Sequence, residues 1–186
     1  MINVTELKVG NYFLEENVLY QVLDVLLNKT AMRKMVVKLK VKNVRTGAIS
    51  EMSRNSGYAI ETVKIDKKKM QYLYDSGDFL VFMDQSTYEQ IELPKESLKW
   101  ESQFLRGDEE VDVTSFGDEI LGVLLPSKVV LKITECEPAV RGDTVNKAMK
   151  EAVLETGLKV KVPLFISQGE EIYVRTDNGQ YDGRAN

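Results

Sequence analysis

Histidine is absent from this chain of 186 residues, cysteine occurs once, and proline only four times. The first absence removes the usual general base, the commonest metal ligand and every Ser-His or Cys-His nucleophile arrangement. A single cysteine precludes an internal disulfide and a cysteine-rich metal site. Flanked by acids in ITECEP, Cys136 reads as a packed strand residue rather than a nucleophile. Neither a Gly-x-x-x-x-Gly-Lys-Ser/Thr phosphate loop nor a Gly-x-Gly-x-x-Gly fingerprint occurs. The adjacent acids Glu109 and Glu110 read as a solvated turn. Together these absences weigh against hydrolase, metalloenzyme and nucleotide chemistry, so no catalytic residue, cofactor or metal is expected. Apolar runs are short, as in VLDVLL (residues 22–27), and the opening MINVTELKVG has no basic start followed by an apolar stretch. A cytoplasmic protein is expected.

What is present is a marked segregation of charge. The chain carries 25 basic and 29 acidic residues, net −4, yet residues 28–45 (NKTAMRKMVVKLKVKNVR) hold seven Lys or Arg and no acid. The rest of the chain is left with 18 basic residues against 29 acidic ones. An acidic body with one basic arm presents itself to a polyanion in one orientation.

Periodicity argues for β structure almost throughout. From Met35 to Lys42, Val37, Leu39 and Val41 alternate with Lys38, Lys40 and Lys42, the period-2 pattern of a half-buried strand. LYQVLDVL (residues 19–26) reads as its partner, with NKTAMRK as the connection, giving a hairpin with a basic tip. Further strands are expected at GNYFLEE (10–16), AISEMSR after the Thr46-Gly47 turn, and AIETVKI (59–65). A second domain opens after Lys67, Lys68 and Lys69, where residues 70–94 predict two strands joined by Asp75-Ser76-Gly77-Asp78 around aromatic residues. A short helix-like segment follows at Leu98–Leu105, and strands end at Pro126 and resume with SKVVLKITE. LKVKVPLFIS, EIYVRTD and GQYDGRA close the chain, with turns near Gly169 and at Asn178-Gly179. Two five-stranded barrels of the oligonucleotide-binding type fit the length of residues 66–186, although spacing alone does not separate them from sandwiches.

Several segments together resemble bacterial elongation factor P. KEAVLETGLKVKVPLFISQG (150–169) is similar to that family's signature at Lys150, Ala152, Gly157, Val160, Val162, Pro163 and Gly169. MQYLYDSGDFLVFMDQSTYEQIEL, NVRTGAI, EPAVRGDT and GQYDGRA match in kind and position, so the resemblance spans the chain. It implies an all-β protein of three small barrels in an L-shaped, tRNA-like arrangement. These would be an SH3-like (KOW-like) domain over 1–64 and two oligonucleotide-binding barrels over 65–127 and 128–186. It also implies a monomer that enters the 70S ribosome between the peptidyl and exit sites. There it would contact ribosomal RNA and the P-site peptidyl-tRNA and relieve stalling at consecutive prolines without performing chemistry, with no membrane or DNA partner. Holding a poor nucleophile's reaction partner in a reactive pose lowers the barrier by positioning alone. The basic hairpin would lie along the acceptor stem, its phosphate contacts carried by Lys29, Arg33, Lys34, Lys38, Lys40, Lys42 and Arg45.

The chain departs from the family at the hairpin tip. There the family usually reads Lys-Pro-Gly-Lys-Gly, and the central Lys, or an Arg in some branches, commonly carries a modification. Here Lys29 is kept, Met32 occupies the central place, and Thr30, Ala31 and Arg33 replace Pro and both Gly. A thioether offers no amine for acylation. Three readings stand: Arg33 or Lys34 substitutes through a shifted turn, an unmodified Met32 reaches in as an apolar tip, or the loop tolerates change while the body binds ribosomes. In the last domain the resemblance assigns ribosome contacts to Asp143, Thr144, Asn146, Lys147, Lys150, Tyr181 and Arg184. The usual Gly-rich loop there reads VNKAMK, which either stiffens the loop or extends a helix through NKAMKEAVLE. The alternative class is a stand-alone single-stranded RNA binder. It would require exposed aromatics interleaved with Lys and Arg, whereas Tyr72, Tyr74, Phe79, Phe82 and Tyr88 lie in an acidic setting and are expected mostly in the core.

Overall fold

A strand sends successive side chains to opposite faces, so the alternating Val36–Asn43 segment can bury its valines and leucine only by projecting its lysines. In the computed structural model this is what it does: Val37, Leu39 and Val41 are buried, and Lys38, Lys40 and Lys42 are exposed. The structure describes residues 1–28, 35–138 and 149–185. Cα packing divides the chain into two units, Met1–Asp66 with Ser115–Leu121, and Lys67–Thr114 with Gly122–Asn186. The protein is all-β, built of three curled sheets.

The first sheet comprises β1 (Ile2–Asn3), β2 (Tyr12–Glu15), β3 (Val18–Asn28), β4 (Val36–Asn43), β5 (Ile49–Asn55) and β6 (Ala59–Val63), in the order β1-β6-β2-β3-β4-β5. Its core gathers Val4, Leu7, Phe13, Val22, Val37, Leu39, Val41 and Ile60. Burying each such aliphatic side chain contributes roughly 1.5–3 kcal/mol. The sheet curls until β5 meets β2, with two strands between them in the order. Arg54 donates to both oxygens of Glu15 at 3.2 and 2.7 Å, and the Tyr58 hydroxyl donates to the same carboxylate at 2.9 Å. These bonds hold the Glu15 carboxyl below its ordinary range.

The second sheet holds β7 (Asp66–Asp75), β8 (Phe79–Met83), β9 (Gln90–Pro94), β10 (Glu110–Phe116) and β11 (Glu119–Leu124), in the order β11-β10-β7-β8-β9. Residues 70–94 therefore contribute three strands where two were expected. The third arises because Asp84 closes a tight turn, accepting from the Ser86 amide and hydroxyl, and returns Gln90–Pro94 beside β8. The helix-like segment at Leu98–Leu105 is two short 3-10 turns, Lys95–Leu98 and Glu101–Gln103, whose neighbourhood buries Leu98, Phe104 and Leu105.

The third sheet holds β12 (Lys128–Cys136), β13 (Met149–Leu154), β14 (Lys159–Pro163), β15 (Glu171–Arg175) and β16 (Tyr181–Arg184), in the order β14-β13-β12-β15-β16. No helix extends through the described part of NKAMKEAVLE. Met149–Leu154 is a strand because Lys150, Ala152 and Leu154 alternate inward while the backbone pairs with β12 on one side and β14 on the other. The second and third sheets pack within one unit. Phe104 joins the third sheet's core, the Trp100 indole N–H donates to the Thr176 carbonyl at 2.8 Å, and Leu125 packs against both clusters.

Candidate nucleic-acid interface

The hairpin β3–β4 carries the expected cations, and its register decides what surrounds each of them. Tyr20 pairs with Asn43 and Val22 with Val41, but beyond Leu23 the pairing shifts by one residue, so that Asp24 faces Lys40, Leu26 faces Lys38 and Asn28 faces Val36. This is a β-bulge, one extra residue on one strand that reverses the facing of everything beyond it. Without it Asp24 would sit opposite Leu39 on the core side. With it Val25, opposite Leu39, packs against the core, Leu27 faces Val37 at the exposed end of the same row, and Asp24 joins the lysines outside.

On its other flank β4 pairs with β5, which sets Lys38 beside Ser53, Lys40 beside Glu51 and Lys42 beside Ile49. The outward face is therefore graded. Lys40 has a carboxylate as cross-strand neighbour on each side, Asp24 and Glu51, while Lys38 lies between Leu26 and Ser53 and Lys42 between Gln21 and Ile49. Among the described residues none of the three lysines forms an ion pair within 4.0 Å. Asp24 and Glu51 were missed in the sequence reading. The break in β3's alternation at Leu23-Asp24 is the signal that exposes the first, and the second follows only once the β4–β5 register is known.

Arg45 stands past the end of β4, in the turn where the Gly47 amide donates to the Asn43 carbonyl at 2.8 Å. Gly47 has φ +75° there, a conformation that glycine adopts without strain. The Arg45 guanidinium is engaged: it donates to the two Glu119 oxygens at 2.8 and 2.9 Å and to the Asn17 carbonyl at 3.1 Å. The arginine holds the Glu119 carboxyl below its usual range. Lys29, Met32, Arg33 and Lys34 lie outside the described residues, as do Asp143, Thr144, Asn146 and Lys147 of the last domain.

Of the remaining residues assigned to the C-terminal barrel, Lys150 is buried in the inward row of β13, Tyr181 is half-buried against the third core, and Arg184 is exposed. Arg184 is ion-paired with Glu170 and lies 5.8 Å from the centre of the Phe165 ring. The aromatic expectation needs correction. Tyr72 and Phe82 are buried, but Tyr74, Phe79 and Tyr88 are exposed. A register shift between Tyr72 and Tyr74 takes Tyr74 off the inward row, Phe79 opens β8 at its rim, and Tyr88 occupies a turn with φ +60°.

No group of three Cys, Asp or Glu side chains among the described residues is arranged to hold a metal ion, and no described helix is long and apolar enough to cross a membrane. What the site offers is a pleated surface of fixed cations, suited to phosphate contacts that position a partner.

Three family models match the chain in succession: the elongation factor P KOW-like domain over residues 3–59, the elongation factor P OB domain over 65–123, and the elongation factor P C-terminal domain over 129–184. The chain is 46% identical to elongation factor P of Malacoplasma penetrans, over 99% of its own length and 97% of that protein's. It is 44% identical to that of Ureaplasma parvum over 100% and 98% of the two chains, and 42% identical to that of Mesoplasma florum over 99% and 100%. Among solved structures it is similar to eukaryotic translation initiation factor 5A from Methanococcus jannaschii, with a TM-score of 0.51 and 26% identity over 66% of this chain and 92% of that one. With three consecutive domain models and full-length relatives in agreement, the chain belongs to the elongation factor P family of translation elongation factors.

Proposed function

We propose that this protein binds the 70S ribosome between the peptidyl and exit sites, lays its β3–β4 hairpin along the P-site peptidyl-tRNA, and promotes peptide-bond formation at polyproline stalls by positioning. It performs no chemistry of its own and acts as a cytoplasmic monomer. Its working divisions are residues 1–64, 65–127 and 128–186. The observation that carries the reading is the outward row of Lys38, Lys40 and Lys42 on a strand whose other face is anchored in the first core. The backbone that carries this row is anchored by packing, so on meeting phosphates only the lysine side chains have freedom left to lose. Which of Met32, Arg33 and Lys34 acts at the glycine-poor tip is read from the tip variants below.

The test is reconstituted translation of a message encoding three consecutive prolines, with and without the unmodified protein. Relief of the stall is expected. Met32→Ala and the pair Arg33→Ala with Lys34→Ala then show which tip residue contributes. A protein that binds ribosomes yet leaves the stall unchanged overturns the positioning role. The exposed Tyr74, Phe79 and Tyr88 favour, as a second reading, a stand-alone RNA binder. Binding of free single-stranded RNA as tight as binding of ribosomes would select it.

A further inference from the structure

Phe165 is 63% exposed, although it stands two residues past the end of β14 and precedes Ile166, which is fully buried in the third core. Its segment is pinned rather than loose. The Ile166 amide donates to the Pro163 carbonyl at 3.1 Å, the Gly169 amide to the Ile133 carbonyl at 2.9 Å, and the Ser167 amide to a Glu170 oxygen at 3.1 Å. The other Glu170 oxygen holds Arg184, and that guanidinium lies 5.8 Å from the Phe165 ring centre. Close by, the exposed Met149 pairs across the sheet with Pro163, and the outward side of β14 carries Lys159 and Lys161. A large apolar ring kept in water by a buttressed loop, with a planar cation beside it, has no role in the core it borders.

We infer that Phe165 and Arg184 form a stacking platform for one unpaired nucleobase of ribosome-bound RNA. The base lies on the open face of the Phe165 ring, and the flanking phosphate meets Arg184. Glu170 is a positioning residue that fixes the guanidinium against the ring. Aromatic stacking of this kind accepts any base, because every base presents a π-face, and the Arg contributes through the ring's quadrupole. The occupant is RNA rather than an apolar protein surface, because the planar Arg184 cation lies beside the ring. The inference rests on the ribosome-binding reading above.

The experiment measures ribosome affinity, and protection of ribosomal and messenger RNA bases from chemical modification, for the full chain and four variants. Phe165→Ala is expected to weaken binding by roughly five- to hundredfold and to unprotect one unpaired base. Phe165→Trp keeps affinity within about twofold and keeps the protection, while Phe165→Leu behaves like the alanine variant. Arg184→Gln gives a smaller loss at the same base, and thermal unfolding confirms that each variant retains the fold. The proposal is overturned if Phe165→Ala binds as wild type does, or if Phe165→Leu restores binding as fully as Phe165→Trp, which would mark an apolar protein contact. Wild-type protein that fails to bind ribosomes at all would instead overturn the ribosome-binding reading, and this platform with it.

Discussion

Two strands of this protein each carry three lysines, and they use them in different ways. In β4 the lysines alternate with Val37, Leu39 and Val41, so all three emerge on one face of a strand whose other face is core. In β7 Lys67, Lys68 and Lys69 are consecutive, so the pleat sends them to alternate sides. Lys68 then meets the buried carboxylate of Asp84 at 2.7 Å, and Lys67 and Lys69 border a groove that also contains Glu110 and Asp112. The same count of positive charge gives, in one place, a one-faced row without ion pairs within 4.0 Å among the described residues and, in the other, a structural pair beside acids. Spacing rather than number decides which cluster can serve a polyanion.

The sharpest way to break that comparison is to impose an identical charge change on both strands. Lys38→Glu with Lys42→Glu is expected to weaken ribosome binding by about tenfold or more and to lower the salt slope by about two phosphate contacts. Lys67→Glu with Lys69→Glu, an equal change in net charge, is expected to stay within about twofold. Binding measured from low to moderate salt decides. Equal losses from the two pairs would show that overall charge, not the hairpin row, governs association.

A smaller effect separates structure from binding within β7 itself. Asp84 is buried, accepts from the Ser86 amide and hydroxyl, and faces the Lys68 ammonium, whose bond is the largest influence holding its carboxyl far below the ordinary range. A depressed folded-state value means that the carboxylate's contribution is fully present above its unfolded value of about 3.9 and is lost as pH falls through the lower folded value. Lys68 is shifted the opposite way, raised chiefly by its bond to Asp84, so its contribution persists until strongly alkaline pH. Asp84→Asn is therefore expected to lower the unfolding midpoint by a few degrees at neutral pH and to remove part of the strongly acid limb of the stability profile, while the folded variant binds ribosomes normally. Thermal scans across pH, with ribosome binding below the midpoint, test both halves. A binding defect in folded Asp84→Asn would erase the distinction between the two lysine strands.

Much of this was legible from the sequence. The β4 alternation predicts its strand, its buried face and its lysine row, since period-2 patterning and burial are one physical fact. The Thr46-Gly47 turn, the β3–β4 pairing and β12, β14, β15 and β16 of the third sheet were readable for similar reasons. What failed depended on long-range partners. The third strand of residues 70–94 exists because Asp84 folds a turn, and Met149–Leu154 is a strand because β12 and β14 flank it, whatever its local helical tendency. The exposure of Tyr74 depends on a register shift that composition does not announce. In the candidate site the cations were legible but not their environments. Arg45 is held by Glu119, which is 74 residues distant, and Lys40's two acidic neighbours are set by a bulge and by a second strand's register.

Those two acids supply the finest test of the hairpin. If the lysine row meets phosphate, Asp24 and Glu51 oppose it twice, by repelling the polyanion and by damping the charge of Lys40 between them. Asp24→Asn with Glu51→Gln should then strengthen ribosome binding by about two- to fivefold at low salt, the range of one exposed charge interaction, with the gain fading as screening shortens the reach of surface charges. Folding should be little affected, since Asp24 and Glu51 are both exposed and neither forms an ion pair within 4.0 Å among the described residues. Adding Lys40→Gln to the double substitution should cancel the gain if Lys40 is the lysine being released, and should leave it intact if the benefit is general repulsion. A double substitution that weakens binding would mean that the acids face a cation in the complex, and would move the phosphate contacts from the middle of the row to Lys38 and Lys42 at its ends.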